Sequence, residues 1–342
     1  MRAIGFQTPS GRDEPNSLLD IEQPTPVPTG RDILVEIRAI SVNPVDTKIR
    51  SSARPGAGEW RILGWDAAGI VAAVGPDATL FKPGDAVFYA GALGRPGTNA
   101  EYHLVDERIV GRKPASLDWS EAAALPLTAI TAWETLFDRL DIRKPVPGAA
   151  NAILIIGGAG GVGSIAIQLI RQLTDMTVIA TASRPETEAW VRELGAHHVI
   201  DHSKPLAAEV AALGSGAPAF VFSTTNTDAH LTEIEALIAP QGRFALIDDP
   251  KILDIMPFKR KSVSVHWELM FTRSLFETAD MQVQGDILNE VSRLVDAGTI
   301  HTTLSDRFGA INAANLRRAH ALIESGRAKG KLVLEGFEQP VP

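Results

Sequence analysis

Residues 152–163 read AILIIGGAGGVG, and the fold is decided there. The run Ala152 to Ile156 is apolar without interruption, as a strand covered on both faces must be. A glycine-rich turn follows, with G-x-G-x-x-G spacing at Gly158, Gly160 and Gly163, and residues 162–173 then carry helical periodicity. A strand, this turn and a helix form the context in which the spacing has a physical meaning. Glycine tolerates φ > 0, its missing side chain lets the backbone approach a pyrophosphate, and the helix start offers unpaired N–H groups to the anion. Gly158, Ala159, Gly160, Gly161, Val162 and Gly163 are therefore the candidate cradle. A turn used only for packing is the plainer alternative, and the βαβ unit around it argues against that.

Outward from this stretch, strands and helices alternate. Residues 177–182 read as a strand, 186–194 as a helix closed by Gly195, and 197–200, 219–223 and 243–247 as further strands, with a helix over 231–238. That order predicts a doubly wound α/β domain, a parallel sheet with helices on both faces. Upstream of about residue 125 the texture differs. Short β-like runs (33–37, 68–74, 85–89) are broken by turn signals at Pro28-Thr29-Gly30, Gly75-Pro76 and Lys82-Pro83-Gly84-Asp85, as in a compact β barrel. Helices over 120–125 and 128–140 connect the two regions. Past residue 286 come helices over 287–297 and 311–325 and a last strand, 331–334. The economical arrangement is a discontinuous outer domain, 1–125 with 270–342, around an inner one, 126–269.

The 342-residue chain has a net charge of −8 and no cysteine, which excludes disulfides and cysteine-ligated metal. No apolar run approaches the length of a membrane helix, and the first residues lack the apolar core of a secretory signal, so the default location is the cytoplasm. The only tight basic run, Lys259-Arg260-Lys261, reads as a solvated face or as a guard beside an aggregation-prone strand, and nucleic acid is not an expected partner.

The second strand ends Thr181-Ala182-Ser183-Arg184, about 20 residues past the last glycine, where an NAD enzyme keeps an acid for the ribose hydroxyls. With no acid there, Ser183 and Arg184 suit a 2′-phosphate, and NADPH is the expected cofactor. His202, just after the next strand, is a further candidate for the adenosine end. Ser183 with Glu186 also fits a capping box, and both roles are compatible.

The chain resembles the medium-chain dehydrogenase/reductase superfamily, in particular its quinone oxidoreductase-like, zinc-type alcohol dehydrogenase-like branch. The likeness is carried by VNPVD (42–46), GWDAAGIV (64–71), KPGDAV (82–87), LPLTAITA (125–132), the glycine turn, LGAHHVID (194–201) and GKLVL (330–334). It implies a Rossmann domain plus a GroES-like β-barrel catalytic domain. Zinc alcohol dehydrogenases have Cys at the position of Asn43 and a His-Glu pair at Trp65-Asp66, and the four-cysteine structural lobe is missing. Amide and indole do not replace thiolate and imidazole, so no zinc is expected. His197 and His198, adjacent in the expected strand, point to opposite faces and are not a metal pair.

The resemblance places Asn43, Trp65 and Thr128 around the nicotinamide, and Ser223, Phe271 and Lys331 on the cofactor. Asn43 is then a hydrogen-bond donor to a substrate oxygen, or a turn former before Pro44; Trp65 is a pocket wall, or core packing. Asp46 is the nearest acid, or a structural turn carboxylate. Without a Lewis acid, the expected substrates are quinones or α,β-unsaturated carbonyls, which accept hydride unaided. A zinc-independent alcohol or carbonyl dehydrogenase and a non-catalytic NADPH sensor are the alternatives. Family dimers often join Rossmann sheets edge to edge, which makes Ser262-Val263-Ser264-Val265 a candidate edge strand and a homodimer the expected assembly.

Overall fold

A computed structural model describes residues 1–11, 14 and 17–337. The chain forms two compact units, Thr131–Met270 and, around it, Met1–Ile130 with the chain from Phe271 onward. The chain leaves the outer unit within one helix, Pro126–Trp133.

The inner unit is built on six parallel strands. Their order is His198–Ile200, Thr177–Thr181, Ala150–Ile156, Pro218–Ser223, Arg243–Leu246 and Ser264–Trp267. In order of appearance that is 3-2-1-4-5-6, the doubly wound order of dinucleotide-binding sheets. The central strands hold Ile153, Leu154, Ile155, Val178, Ile179, Val221 and Phe222 fully buried, because helices leave neither face to water. The helix Gly161–Leu173 follows the first strand and buries Ile165, Ile167, Leu169 and Ile170.

The outer unit is mostly antiparallel. Its larger sheet centres on the long strand Asp32–Val42, flanked by Asp66–Val74, Tyr102–Asp106 and the C-terminal strand Lys331–Glu335. The register Leu332 to Val42 brings Lys331 beside Asn43, and Ser41 to Asp66 brings Asp66 to the same end of the sheet. A three-stranded sheet pairs Arg2–Phe6 with Leu19–Glu22 and Arg61–Ile62.

Several elements differ from the sequence reading. Asn43-Pro44 is not a free turn but the start of a helix, Pro44–Ser52, with Asn43 as N-cap in extended conformation and Pro44 in the first turn. The expected helix 128–140 runs as Pro126–Trp133 and then widens into a π-helix, Glu134–Arg139, where Leu140 N–H reaches back five residues to Thr135 O. The edge strand is displaced from 262–265 to 264–267. A 3₁₀ helix, Met256–Lys261, ends with Ser262 at φ 51°, so pairing cannot start before Ser264. In the basic triplet, Lys261 is half-buried and turned back on the protein: its Nζ donates to Ala236 O (2.8 Å) and Ile238 O (3.0 Å), closing the end of the helix Thr227–Leu237. Helix Leu206–Ala212 carries no strong periodic signal and is an addition to the expected elements.

Candidate functional site

The glycine turn lies at the carboxyl end of the strand Ala150–Ile156, the end at which open α/β sheets take ligands. Gly157 opens the turn at φ +83°, and a Cβ there would sit 2.3 Å from Thr224 Oγ1. A Cβ at Gly158 would lie 2.9 Å from Ala180 Cβ, and one at Gly163 only 2.4 Å from Gly157 O. Only glycine fits at these three places. Gly160 caps the helix without a side chain of its own, so the first-turn N–H groups face outward with no capping oxygen. Two threonines brace the turn: Gly157 N–H donates to Thr181 Oγ1 (3.0 Å), and Thr224 Oγ1 donates to Ile156 O (2.9 Å). Neither threonine nor Gly157 stood among the sequence candidates, although Thr181 and Thr224 lie at the ends of the two neighbouring strands, where such support has to come from. Ser223 turns inward, its Oγ 2.7 Å from Thr227 Oγ1 in the buried interior.

The adenosine-end candidates do come together. Ser183 Oγ is 3.1 Å from His202 Nε2, and both residues are exposed. Arg184 Nε pairs with Glu186 Oε1 at 3.0 Å. The expected Ser183–Glu186 capping box is shifted by one residue: Arg184 is the N-cap of Pro185–Glu193, and its N–H donates to Thr187 Oγ1 at 3.2 Å. The cause is Pro185, which fits the first helical position and pushes the cap onto Arg184. The Ser183 hydroxyl is thereby released from helix capping.

In the outer unit, the nicotinamide candidates form part of a buried polar cluster. Lys331 Nζ donates to Asp66 Oδ2 (2.9 Å), Asn43 Oδ1 (2.5 Å) and Val42 O (3.0 Å). Asn43 Nδ2 donates to Asp66 Oδ2 at 2.8 Å and points its second hydrogen at Ser41 O, 3.4 Å away. Asp66 Oδ1 accepts Leu127 N–H (2.7 Å), a first-turn donor of the helix Pro126–Trp133. Asp46 Oδ2 accepts Asn43 N–H (2.7 Å). Burial pushes the Asp46 carboxyl up to about 7, against the pull of the Asn43 N–H and the Lys331 charge.

Against this geometry three expectations change. Both Asn43 amide hydrogens are directed within the cluster, so Asn43 is not a free donor for substrate. Trp65 is fully buried, its Nε1 donates to Ala92 O (3.2 Å), and Phe271 meets it edge-on at 6.3 Å; of the two readings of Trp65, core packing is the one observed. Asp46 is a helix-cap carboxylate and not a turn residue. Thr128 is also buried, its Oγ1 donating to Leu125 O at 3.1 Å. Sequence reasoning took Lys331 as a cofactor contact and overlooked Asp66. The signal was present: an acid heading the apolar strand 66–74 and a lysine heading 331–334 each require a buried counter-charge.

Two family models match: "Alcohol dehydrogenase GroES-like domain" over residues 29–115 and "Zinc-binding dehydrogenase" over residues 194–334. A "zinc-type alcohol dehydrogenase-like protein" of Staphylococcus aureus is 41% identical over 336 residues, covering 98% of this chain and 99% of its own length. A crystal structure from Rhizobium etli, described as a putative zinc-dependent alcohol dehydrogenase, is 70% identical with a TM-score of 0.97, covering 99% of both chains. The chain is a medium-chain dehydrogenase/reductase. A quinone oxidoreductase from Pseudomonas syringae shares this dehydrogenase/reductase fold at 25% identity and a TM-score of 0.81, covering 98% of this chain and 99% of its own.

The family names imply zinc, and the residues of this dehydrogenase/reductase do not fit it. At the three expected ligand positions, Trp65 presents an indole N–H donor, Asn43 Oδ1 accepts from an ammonium, and Asp66 has both oxygens engaged. His197 is equally committed, with Nδ1 accepting Val178 N–H (2.9 Å) and Nε2 beside Arg171 Nη1 (2.6 Å); it lies just before the strand His198–Ile200 and not within it. Among the described residues, no group of three or more His, Cys, Asp or Glu is placed to hold a metal ion. A nicotinamide dinucleotide does fit, since the glycine turn ends in a helix start with no capping side chain, whose first-turn N–H groups suit a pyrophosphate. No helix among the described residues is long and apolar enough to cross a membrane.

Proposed function

We propose that this protein is a zinc-independent, NADPH-dependent reductase that passes hydride to a quinone or an α,β-unsaturated carbonyl. The observation that carries the reading is the closed hydrogen bonding of Asn43, Asp66 and Lys331: the side chains at two of the zinc-ligand positions of zinc relatives, Asn43 and Asp66, are engaged with each other and with a lysine. A chain with no Lewis acid of its own suits acceptors that are already electron-poor. The likeness to a solved quinone oxidoreductase points the same way.

The nicotinamide supplies the hydride when bound. The backbone N–H groups at Gly161, Val162 and Gly163 hold the pyrophosphate, with Gly158, Ala159 and Gly160 giving the close approach. Ser183, Arg184 and His202 form the 2′-phosphate end. Thr128 already donates its one hydroxyl proton to Leu125 O, so it offers acceptor capacity, which suits an amide or ribose donor of the cofactor. Asn43 acts as a positioning residue. Ser223, Trp65 and Phe271 support the site from within their cores. The proton that completes the reduction comes from water.

Dimerisation is part of the proposal. Ser264–Trp267 ends the six-stranded sheet, and Trp267, its last residue, is 54% exposed. An open edge next to an exposed tryptophan favours pairing with a second copy. Light scattering in solution checks this; a monomer at all concentrations would reject it.

The enzymatic test is direct. The purified protein is mixed with NADPH and 9,10-phenanthrenequinone or an enone, and absorbance at 340 nm is followed with metal content measured in parallel. Steady NADPH loss by metal-free protein is expected. Tight NADPH binding without turnover would favour a sensor, and activity only with stoichiometric zinc would overturn the reading.

A further inference from the structure

The Ser183–His202 contact has a direction that depends on protonation. A hydroxyl has one proton to donate. In a neutral ring whose Nε2 lacks hydrogen, Ser183 gives that proton to His202 across 3.1 Å. In the charged ring both nitrogens carry hydrogen, so Nε2 donates to Ser183 Oγ, and the Ser183 O–H is freed to donate elsewhere. Both groups are exposed at the ends of adjacent parallel strands, Thr177–Thr181 and His198–Ile200.

The surroundings make this charge count. Besides Ser183, the groups that interact with His202 are Asp201 on its own loop and His230 on the helix Thr227–Leu237; Lys204 and Glu209 lie beside Asp201, and Asp228, Glu233 and Asp248 around His230. The carboxylates turn toward protein donors: Asp201 to Ser203, Glu233 to Ala207 N–H, Asp248 to Thr227, and Asp228 to Ala229 N–H. Arg184 is shared with Glu186. His230 is held below the usual histidine range by burial and by the proximity of His202.

We propose that His202 is a protonation-dependent discriminator of the cofactor: charged, it turns the Ser183 hydroxyl toward a 2′-phosphate and adds its own positive charge, so preference for NADPH over NADH rises as pH falls. This rests on the reading of Ser183 and Arg184 as the phosphate end.

The test is fluorescence titration of the intact protein with NADPH and with NADH between pH 8.5 and 6.5, above the second ionisation of the phosphate itself near 6. NADPH should tighten about fivefold over that range, the upper end for an exposed ion pair, while NADH changes less than about twofold. The variant H202N keeps a hydrogen-bonding side chain that does not titrate, and it should flatten the NADPH profile. A wild-type NADPH-to-NADH ratio that is constant with pH, or a slope that survives in H202N, overturns the inference. If the ratio is constant but R184A abolishes it, NADPH specificity stands and only the switch is lost. If neither pH nor R184A affects it and both cofactors bind alike, the phosphate site falls as well.

Discussion

Replacing Lys331 with Met tests the buried cluster most severely. Lys331 is 3% exposed and Asp66 fully buried, so bulk water does not screen the pair. Methionine fills the space of the lysine stem and deletes the ammonium. That leaves Asp66 Oδ2 with only the Asn43 amide, and Asn43 Oδ1 and Val42 O with no donor in place of Lys331. Removing one partner of a buried pair costs about 3–5 kcal/mol, because the remaining charge is stranded. Against a total stability of about 5–15 kcal/mol this is a large fraction. For the outer unit, of about 200 residues, each kcal/mol moves the midpoint by about 2–4 °C, so the melt of K331M should fall by roughly 6–20 °C. The assay is circular dichroism melting of wild type, K331M, D66L and the double variant. The double variant should recover much of the loss, because no charge is then left unpaired, and the coupling between the sites should exceed about 1 kcal/mol. A K331M melt within about 2 °C of wild type, or strictly additive losses, would refute the claim that this pair holds the end of the sheet together.

Three further outcomes follow from other residues. The folded-state carboxyl of Asp46, raised from 3.8 to about 7, favours the protonated form, so its cost to stability grows as pH rises from about 4 to 7 and is complete above that. D46N should flatten this part of the stability profile and gain up to about 4 kcal/mol at pH 8 in urea unfolding; an unchanged slope would show the carboxyl to be ordinary. G163A, whose Cβ would lie 2.4 Å from Gly157 O, should weaken NADPH binding at least about tenfold, since the turn must open to admit a methyl group; unaltered affinity by calorimetry would remove the turn from the site. R184A should lose about fivefold or more in NADPH affinity with little change for NADH, and equal losses for both would place Arg184 away from the phosphate.

The inner unit was legible because its signals are local. A buried parallel strand has to be apolar throughout, and a turn that admits a pyrophosphate has to be glycine, so residues 152–163 declare both at once. The strands Thr177–Thr181 and Pro218–Ser223 followed by the same logic. The misreadings arose where local preference and distant contacts diverge. Asn43-Pro44 serves equally well as a turn or a helix start, and what decides is Asp46 three residues on, whose carboxylate receives the Asn43 N–H. The π-helix Glu134–Arg139 has no sequence signature beyond ordinary helical residues; Thr135 Oγ1 donates to Thr131 O at 2.7 Å, competing for a main-chain acceptor within the same turn.

The outer cluster was hidden for a deeper reason. Asn43, Asp66, Leu127 and Lys331 are far apart in the chain, and they meet only through the registers of Lys331–Glu335 and Asp66–Val74 against Asp32–Val42 and the helix start docked on Asp66. Each residue taken alone invites a role of its own: an amide suggests a substrate donor, a lysine a phosphate contact. Bonded together, they use up each other's hydrogen-bonding capacity, and the same bonds that remove Asn43 from the list of substrate donors also close the position to zinc. The absence of thiolate and imidazole at Asn43 and Trp65 predicted the missing ligands. It did not predict that Asp66 would be left to hold the start of the helix carrying Thr128, where its buried carboxylate requires Lys331 as counter-charge. That requirement ties the C-terminal strand to the placement of Thr128, so a change at Lys331 should be felt at a residue 203 positions earlier in the chain.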